Sequence, residues 1–201
     1  MSKRGLLVIF SGPSGSGKGT VLQSLLTERP DVAVSISATT RQPRPGEQDG
    51  VHYFFRQREE FEQMIREDQL LEYAEYSGNY YGTPLSFIEQ QRQQGRHVVL
   101  EIEVQGALQV MQRCPDAVSI FLAPPSLAVL EERLRGRGTE TEEVILRRLG
   151  EAHRELANMD KYQYIVVNRE VAQAAADVDH ILCAEAMRSD RMQEFKEEFL
   201  Q

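Results

Sequence analysis

With 201 residues, 41% of them hydrophobic and 27% charged, the chain suits one ordinary globular domain carrying small inserted parts. Its net charge of −8 disfavours a generic nucleic-acid or anionic-membrane binder, which is usually basic. An anionic ligand then requires positive charge gathered locally.

In chain order, LLVIF (6–10) is a short apolar run that reads as a buried strand. It is too short for the core of a signal peptide, and no stretch approaches a membrane span, so a cytoplasmic protein is expected. GPSGSGKGT follows, from Gly12 to Thr20, and then Val21, Leu22, Leu25 and Leu26 at helical spacing. The region from about 35 to 94 is dense in Tyr, Phe, Gly and Pro. It reads as short antiparallel strands around one helix bearing Phe61, Met64 and Ile65. VVLEI (98–102), SIFLA (119–123), YIVV (164–167) and HILCA (180–184) read as further strands. Between them lie amphipathic patterns, Leu127, Leu130 and Leu134, then Val144, Ile145 and Leu149. Buried runs alternating with such helices predict an α/β fold, a parallel sheet covered by helices.

The part from 126 to 155 is rich in Arg and Glu and reads as a second insertion. Its helix is expected to start at Thr139, in a capping box with Glu142. A last helix carries Met187, Met192, Phe195 and Phe199 and is expected to pack on the core. Cys114 and Cys183 lie far apart, without C-x-x-C spacing or a nearby His; both are expected in a reduced interior, with no disulfide or zinc site. The predicted division is a core of 1–34, 95–125 and 156–201, an insertion over 35–94 and a lid over 126–155. The sequence assigns no oligomeric state.

The chemistry begins at Gly12, Pro13, Ser14, Gly15, Ser16, Gly17, Lys18, Gly19 and Thr20. The spacing Gly12, Gly17, Lys18 after a strand and before a helix is that of a phosphate-binding loop. Its glycines let backbone N–H groups face an anion, the helix N-terminus adds partial positive charge, and Lys18 supplies a full one. Gly19 stands where the pattern has Ser or Thr. The hydroxyl comes one residue later, at Thr20, rotated about 100° around the helix. No N-K-x-D follows a strand, which disfavours a switch GTPase. Farther on, Arg41 and Arg44 flank a proline in a stiffened loop, two guanidinium forks suited to one phosphate. Ser37, Tyr53, Tyr81 and Thr83 offer hydroxyls. Glu72 offers a carboxylate that can accept from the paired N–H donors on one edge of guanine. Glu101 and Glu103 lie two apart, so both are expected on one face of a strand.

Taken together, GPSGSGKGT, SATTRQPRPGEQDGVHYFF, EYAEYSGNYYGT, LEIEVQGA, APPS, RLRGRGTETEEVILRRL and VVN resemble the guanylate kinases, from about residue 5 to residue 186. TTR-x-x-R-x-x-E-x-x-G-x-x-Y is the most distinctive motif. The resemblance implies a P-loop NTPase-like α/β sheet with an inserted α+β GMP-binding region and a helical lid. It implies phosphoryl transfer from ATP to GMP, and to dGMP, with Mg2+ and with no nucleic-acid or membrane partner. On the GMP side it implies Ser37, Arg41, Arg44, Tyr53 and Tyr81 at the phosphate. Glu72 and Thr83 read guanine, assisted by Glu103, with Glu101 alongside. On the ATP side it implies the loop from Gly12 to Thr20, Arg133 and Arg137 of the lid, and Asn168 near adenine. Lys18, Arg41, Arg137 and Arg148 carry the catalytic charge, and Thr20 and Glu103 face the metal. Arg135 and Arg147 are extra to the pattern and are expected to be solvated. This chain has Glu103 where the family more often has Asp, and Arg169-Glu170 where an Asp often follows the Asn. Two rivals remain: a noncatalytic phosphopeptide-binding module of related sequence, and a kinase of this fold with another acceptor. The intact loop with Lys18 favours an enzyme, and Glu72 with Thr83 favours guanine.

Overall fold

A computed structural model describes residues 4–76, 78–136 and 141–200. The first strand, β1 (Leu7–Ser11), is buried along its whole length and leads through the glycine-rich loop into α1 (Lys18–Glu28). A short strand, β2 (Val32–Val34), precedes the inserted part. That part comprises β3 (Ala38–Thr39), β4 (Phe54–Phe55), α2 (Arg58–Arg66), β5 (Leu70–Tyr76) and β6 (Asn79–Pro84). Then come α3 (Leu85–Gln93), β7 (His97–Glu101), α4 (Val104–Arg113) and β8 (Val118–Ala123). The hairpin of α5 (Leu127–Gly136) and α6 (Glu142–Leu156) follows, and β9 (Tyr164–Val167), α7 (Val171–Ala186) and α8 (Gln193–Phe199) complete the chain.

The main sheet is parallel, in the order β2-β7-β1-β8-β9. Leu7 pairs with Val98 on one side of β1, and Val8 with Val118 on the other. Side chains alternate between two cores. Val8, Phe10, Ile120 and Leu122 pack with Val21, Leu25, Val178 and Leu182 of α1 and α7. Leu7, Ile9, Leu100 and Phe121 pack with Ile88, Ala107 and Val110 of α3 and α4. Strands β1 and β8 are buried on both faces, so they read as continuous apolar runs, as expected of a covered parallel sheet, whereas the edge strand β9 leaves Ile165 and Val167 exposed. Each fully buried side chain of this size contributes about 1.5–3 kcal/mol.

The second sheet has the order β4-β3-β6-β5 and its own small core of Ala38, Phe61 and Leu70. Its β3·β6 and β5·β6 pairs are antiparallel as expected, but β3 and β4 pair in parallel, because the long 40–53 connection returns the chain in the same direction. A third small core, Leu130, Leu134, Ile145 and Ala152, joins α5 to α6. Arg135 is engaged by Glu131 and Glu142 instead of being merely solvated, and so ties the two helices together.

Four local expectations fail. HILCA is the end of α7, where Ala174, Ala175, Val178 and Leu182 form one buried helical stripe. Helix α6 starts at Glu142 with Thr141 as N-cap; Thr139 lies outside the described residues. The terminal pattern is not one helix packed on the core: Met187 is the C-cap of α7 and is exposed, Met192 precedes α8, and Phe195 and Phe199 of α8 are exposed, their rings stacked on each other 5.9 Å apart. Cys114 is half-buried, but Cys183 is exposed, beside Arg29. Both thiols are free. Among the described residues, no helix is long and apolar enough to cross a membrane.

Candidate active site

At the end of β1 the backbone turns back over the sheet through left-handed positions that side chains disfavour. Gly12 has φ 149°, and a Cβ there would stand 2.3 Å from the Leu122 carbonyl oxygen. Gly17 has φ 94°, and a Cβ there would stand 2.5 Å from Asn168 Nδ2. Gly17 is also the N-cap of α1 and supplies no side-chain cap, which leaves the first N–H groups of the helix open to an anion. Lys18 lies back across the loop, donating to the carbonyls of Gly12 (2.6 Å) and Pro13 (3.4 Å).

Distant side chains clamp this loop. Asn168 sits just past β9, is 2% exposed, and donates from Nδ2 to the Ser16 carbonyl at 2.7 Å. Arg133 on α5 donates to the Asn168 carbonyl (2.9 Å) and to the Ser16 carbonyl (3.3 Å). Arg148 on α6 reaches Ser14 Oγ at 3.5 Å. The α5–α6 hairpin is thus seated on the loop, with Leu130 and Leu134 against Gly15. Arg137 lies outside the described residues. Ser16 Oγ and Asn168 Oδ1 are buried without a hydrogen-bond partner in the protein. The amide of Asn168 braces the loop from below.

Around Lys18 stand three carboxylates. Glu101 ends β7 and lies beside Gly19. Glu103 is not on that strand: it is the N-cap of α4, because the chain leaves the sheet after Glu101. Loss of hydration pushes the Glu101 carboxyl up although the residue keeps a solvent-facing edge; Lys18 pulls it down and Glu103 adds repulsion. Glu155, near the end of α6, is pushed up to about 7, first by burial and then by the Glu103 carboxylate beside it, with Lys18 opposing. Sequence reasoning missed Glu155. It is one of several glutamates on a charged helix, and only the meeting of α6 with α4 sets it apart. Thr20 is exposed on the first turn of α1.

A second cluster lies in the inserted part. Arg41 stacks over the rings of Tyr53 (5.4 Å) and Phe55 (5.9 Å), and Tyr53 packs on Tyr81 with ring centroids 6.2 Å apart. Arg44 is exposed on the same loop, and the Ser37 backbone carbonyl accepts from the Phe54 N–H just before β3. Thr83 donates to Glu72 Oε1 at 2.6 Å across the β5·β6 pair. Burial pushes the Glu72 carboxyl up, and the Thr83 hydroxyl partly offsets this. Glu72 is covered by α4 at Gly106, where a Cβ would stand 3.1 Å from Glu72 Oε2. Glu103 and Gly106 lie about one turn apart on α4. The first turn of that helix therefore joins the acid cluster around Lys18 to the pocket containing Glu72. The arrangement can hold one polyanion on the loop and a second phosphate compound on the Arg41 side, with a carboxylate to read a ring edge.

A family model described as guanylate kinase matches residues 4–185. A guanylate kinase of Desulfitobacterium hafniense (strain Y51) is 58% identical over 187 residues, 93% of this chain and 94% of that protein. One from Streptococcus thermophilus (strain CNRZ 1066) is 56% identical over 193 residues, 96% of this chain and 92% of that protein. A crystal structure of guanylate kinase from Anaplasma phagocytophilum superimposes with a TM-score of 0.74 at 34% identity, covering 94% of this chain and 90% of the other.

Proposed function

The chain belongs to the guanylate kinase family, and on that premise we propose how its residues carry the ATP-dependent phosphorylation of GMP to GDP. The observation that carries the assignment is the turn of α4 that places the Lys18 loop and the Glu72–Thr83 pair on either side of one short segment.

ATP phosphates lie on the N–H groups from Gly12 to Thr20, at the N-terminus of α1. Lys18 leaves the Gly12 carbonyl for phosphate oxygens, a better partner for an ammonium ion than a neutral carbonyl. Arg133 and Asn168 hold the loop in shape, while Arg148 and Arg137 bring charge from the lid. GMP lies in the inserted part, its phosphate on Arg41, Arg44, Ser37, Tyr53 and Tyr81. Its base edge is read by the Glu72 carboxylate and Thr83, with Glu101 and Glu103 on the side facing the transfer. The GMP phosphate oxygen is already an anionic nucleophile at neutral pH, so catalysis rests on alignment and compensation of charge. In this reading, 35–94 is the GMP-binding region, 126–155 the lid, and the remainder the core. The setting is the cytoplasm and the partners are small molecules.

The donor chemistry near the loop suits Mg2+. Glu103, Glu101 and the Thr20 hydroxyl are hard oxygen donors, and Mg2+ bound with substrate phosphates needs only one or two protein carboxylates. Among the described residues, no group of three acidic, His or Cys side chains forms a metal cage by itself. We place Mg2+ against Thr20 and Glu103; when bound, it neutralises phosphate charge.

The test is ADP formation from Mg-ATP with GMP, dGMP, AMP, CMP, UMP and no acceptor. Turnover confined to GMP and dGMP is expected. Turnover with another acceptor overturns the guanine assignment, and nucleotide binding without turnover favours the peptide-binding module.

The Gly106 contact yields a sharper expectation. Gly106→Ala improves helix propensity by up to about 1 kcal/mol, so the melting temperature holds or rises. The new methyl crowds the Glu72 carboxylate, so KM for GMP rises about 10-fold while KM for ATP stays unchanged. A lower melting temperature with unchanged KM for GMP would show that the site tolerates the methyl and the helix does not.

A further inference from the structure

Glu47 is the fixed acidic position of the TTR-x-x-R-x-x-E-x-x-G-x-x-Y motif, and it has no role in the transfer described above. In the structure it is the hub of the 41–47 loop. Both of its carboxylate oxygens accept from Arg41 Nη2, at 2.8 and 2.9 Å, and Oε2 also accepts from the Arg44 backbone N–H at 2.7 Å. The Glu47 N–H in turn donates to the Arg44 carbonyl at 3.0 Å. Although the loop is a surface feature, the Arg41 and Glu47 side chains are only 16% and 17% exposed. The Arg41 and Arg44 contacts hold the Glu47 carboxyl down to about 2, so it stays ionised in any physiological buffer.

Arg41 is held on every side that the loop can offer. Its Nη1 donates to the Gln42 carbonyl at 2.8 Å, its backbone N–H donates to Thr39 Oγ1 at 3.2 Å, and its guanidinium lies over Tyr53 and Phe55. A long arginine otherwise samples many rotamers, and ordering it at the moment of binding weakens the complex. Prior ordering by Glu47 removes that cost. Its negative charge also opposes the incoming phosphate, so the two effects of Glu47 have opposite signs. Ordering is expected to outweigh repulsion, because one carboxylate fixes both the Arg41 side chain and the Arg44 backbone, and its charge is compensated by the Arg41 guanidinium it accepts from.

We propose that Glu47 is a positioning residue for the acceptor phosphate, holding the Arg41 guanidinium and the Arg44 backbone in the geometry that receives the phosphate of GMP. The inference rests on the GMP-binding reading above. It is tested in the full chain with Glu47→Gln, which keeps the shape but loses the charge, and Glu47→Asp, which keeps the charge on a shorter arm. For Glu47→Gln, KM for GMP rises about 10–100-fold, while kcat at saturating GMP and KM for ATP stay within about two-fold. Glu47→Asp falls between wild type and Glu47→Gln. Binding of guanosine, which lacks the phosphate, is unchanged in both variants. An unaltered KM for GMP in both variants overturns the proposal, as does equal weakening of guanosine and GMP, which would mark a general loss of the loop. If the wild-type chain does not phosphorylate GMP, the functional reading fails first. If it does and the variants match it, only the role of Glu47 fails.

Discussion

Lys18→Ala lowers kcat for GMP phosphorylation by about 10²–10³-fold and leaves KM for GMP within a few-fold of wild type. Lys18 is the cation nearest the centre of the loop, and its ammonium rests on neutral carbonyls, from which it can move to phosphate oxygens. Its loss removes that stabilisation where charge shifts from one phosphate to the next. It also leaves Glu101, Glu103 and Glu155 crowded together without their counter-charge, which repels the triphosphate. The GMP pocket on the far side of α4 is untouched, which is why the effect falls on turnover. Lys18→Arg does not restore the rate, since a planar fork cannot occupy the space of a compact ammonium folded against the Gly12 carbonyl. Steady-state kinetics with GMP and ATP varied separately decide the matter, and a near-normal kcat in Lys18→Ala would remove Lys18 from the chemistry.

Glu72→Gln should be the most damaging isosteric change on the acceptor side. The carboxylate offers only acceptors to the two neighbouring N–H donors of guanine, whereas an amide turns a donor toward one of them. A hydrogen bond to a charged group contributes about 1.5–3 kcal/mol, and an opposed donor adds a desolvation cost. A loss of about 10²–10³-fold in kcat/KM for GMP is expected, with AMP turnover unchanged or improved, so that discrimination between the bases collapses. The Thr83 hydroxyl, already 2.6 Å from Glu72, can still bond to the amide oxygen, so the fold is retained. The pH response has a definite sign. Burial raises the carboxyl of the free enzyme, and guanine N–H groups favour the ionised form. KM for GMP in the wild type therefore rises as pH falls toward the raised value of Glu72, and Glu72→Gln flattens that rise. Retention of guanine preference in Glu72→Gln would move base recognition to another residue.

Some of this was readable along the chain, because the interactions concerned are local. The loop from Gly12 to Thr20 is specified by its own backbone needs, and the order strand, loop, helix follows from neighbouring apolar periodicities. The sheet strands LLVIF, VVLEI, SIFLA and YIVV were legible for the same reason. HILCA was not, because four apolar residues in a row fit either period, and only the stripe from Ala174 to Leu182 distinguishes helix from strand. Strand β2 was too short to show a period. The C-terminal phenylalanines have helical spacing, but spacing does not say which face meets the core.

By itself, the sequence determined the parallel α/β class, the anion-binding loop and, through its ordered motifs, the family. Only the tertiary structure decided that Glu103 leaves the strand to cap α4, that Asn168 braces the loop from beneath, and that Glu155 joins the charge cluster of Lys18. It likewise made Gly106 the residue that leaves room for Glu72, and Glu47 the hub of the Arg41 loop. The division has one physical cause. Backbone geometry and hydrophobic period act over a few residues, whereas burial, charge coupling and the hydrogen bonds of Arg133, Arg148 and Asn168 join segments dozens of residues apart, and the order of strands in the sheet sets which of them meet.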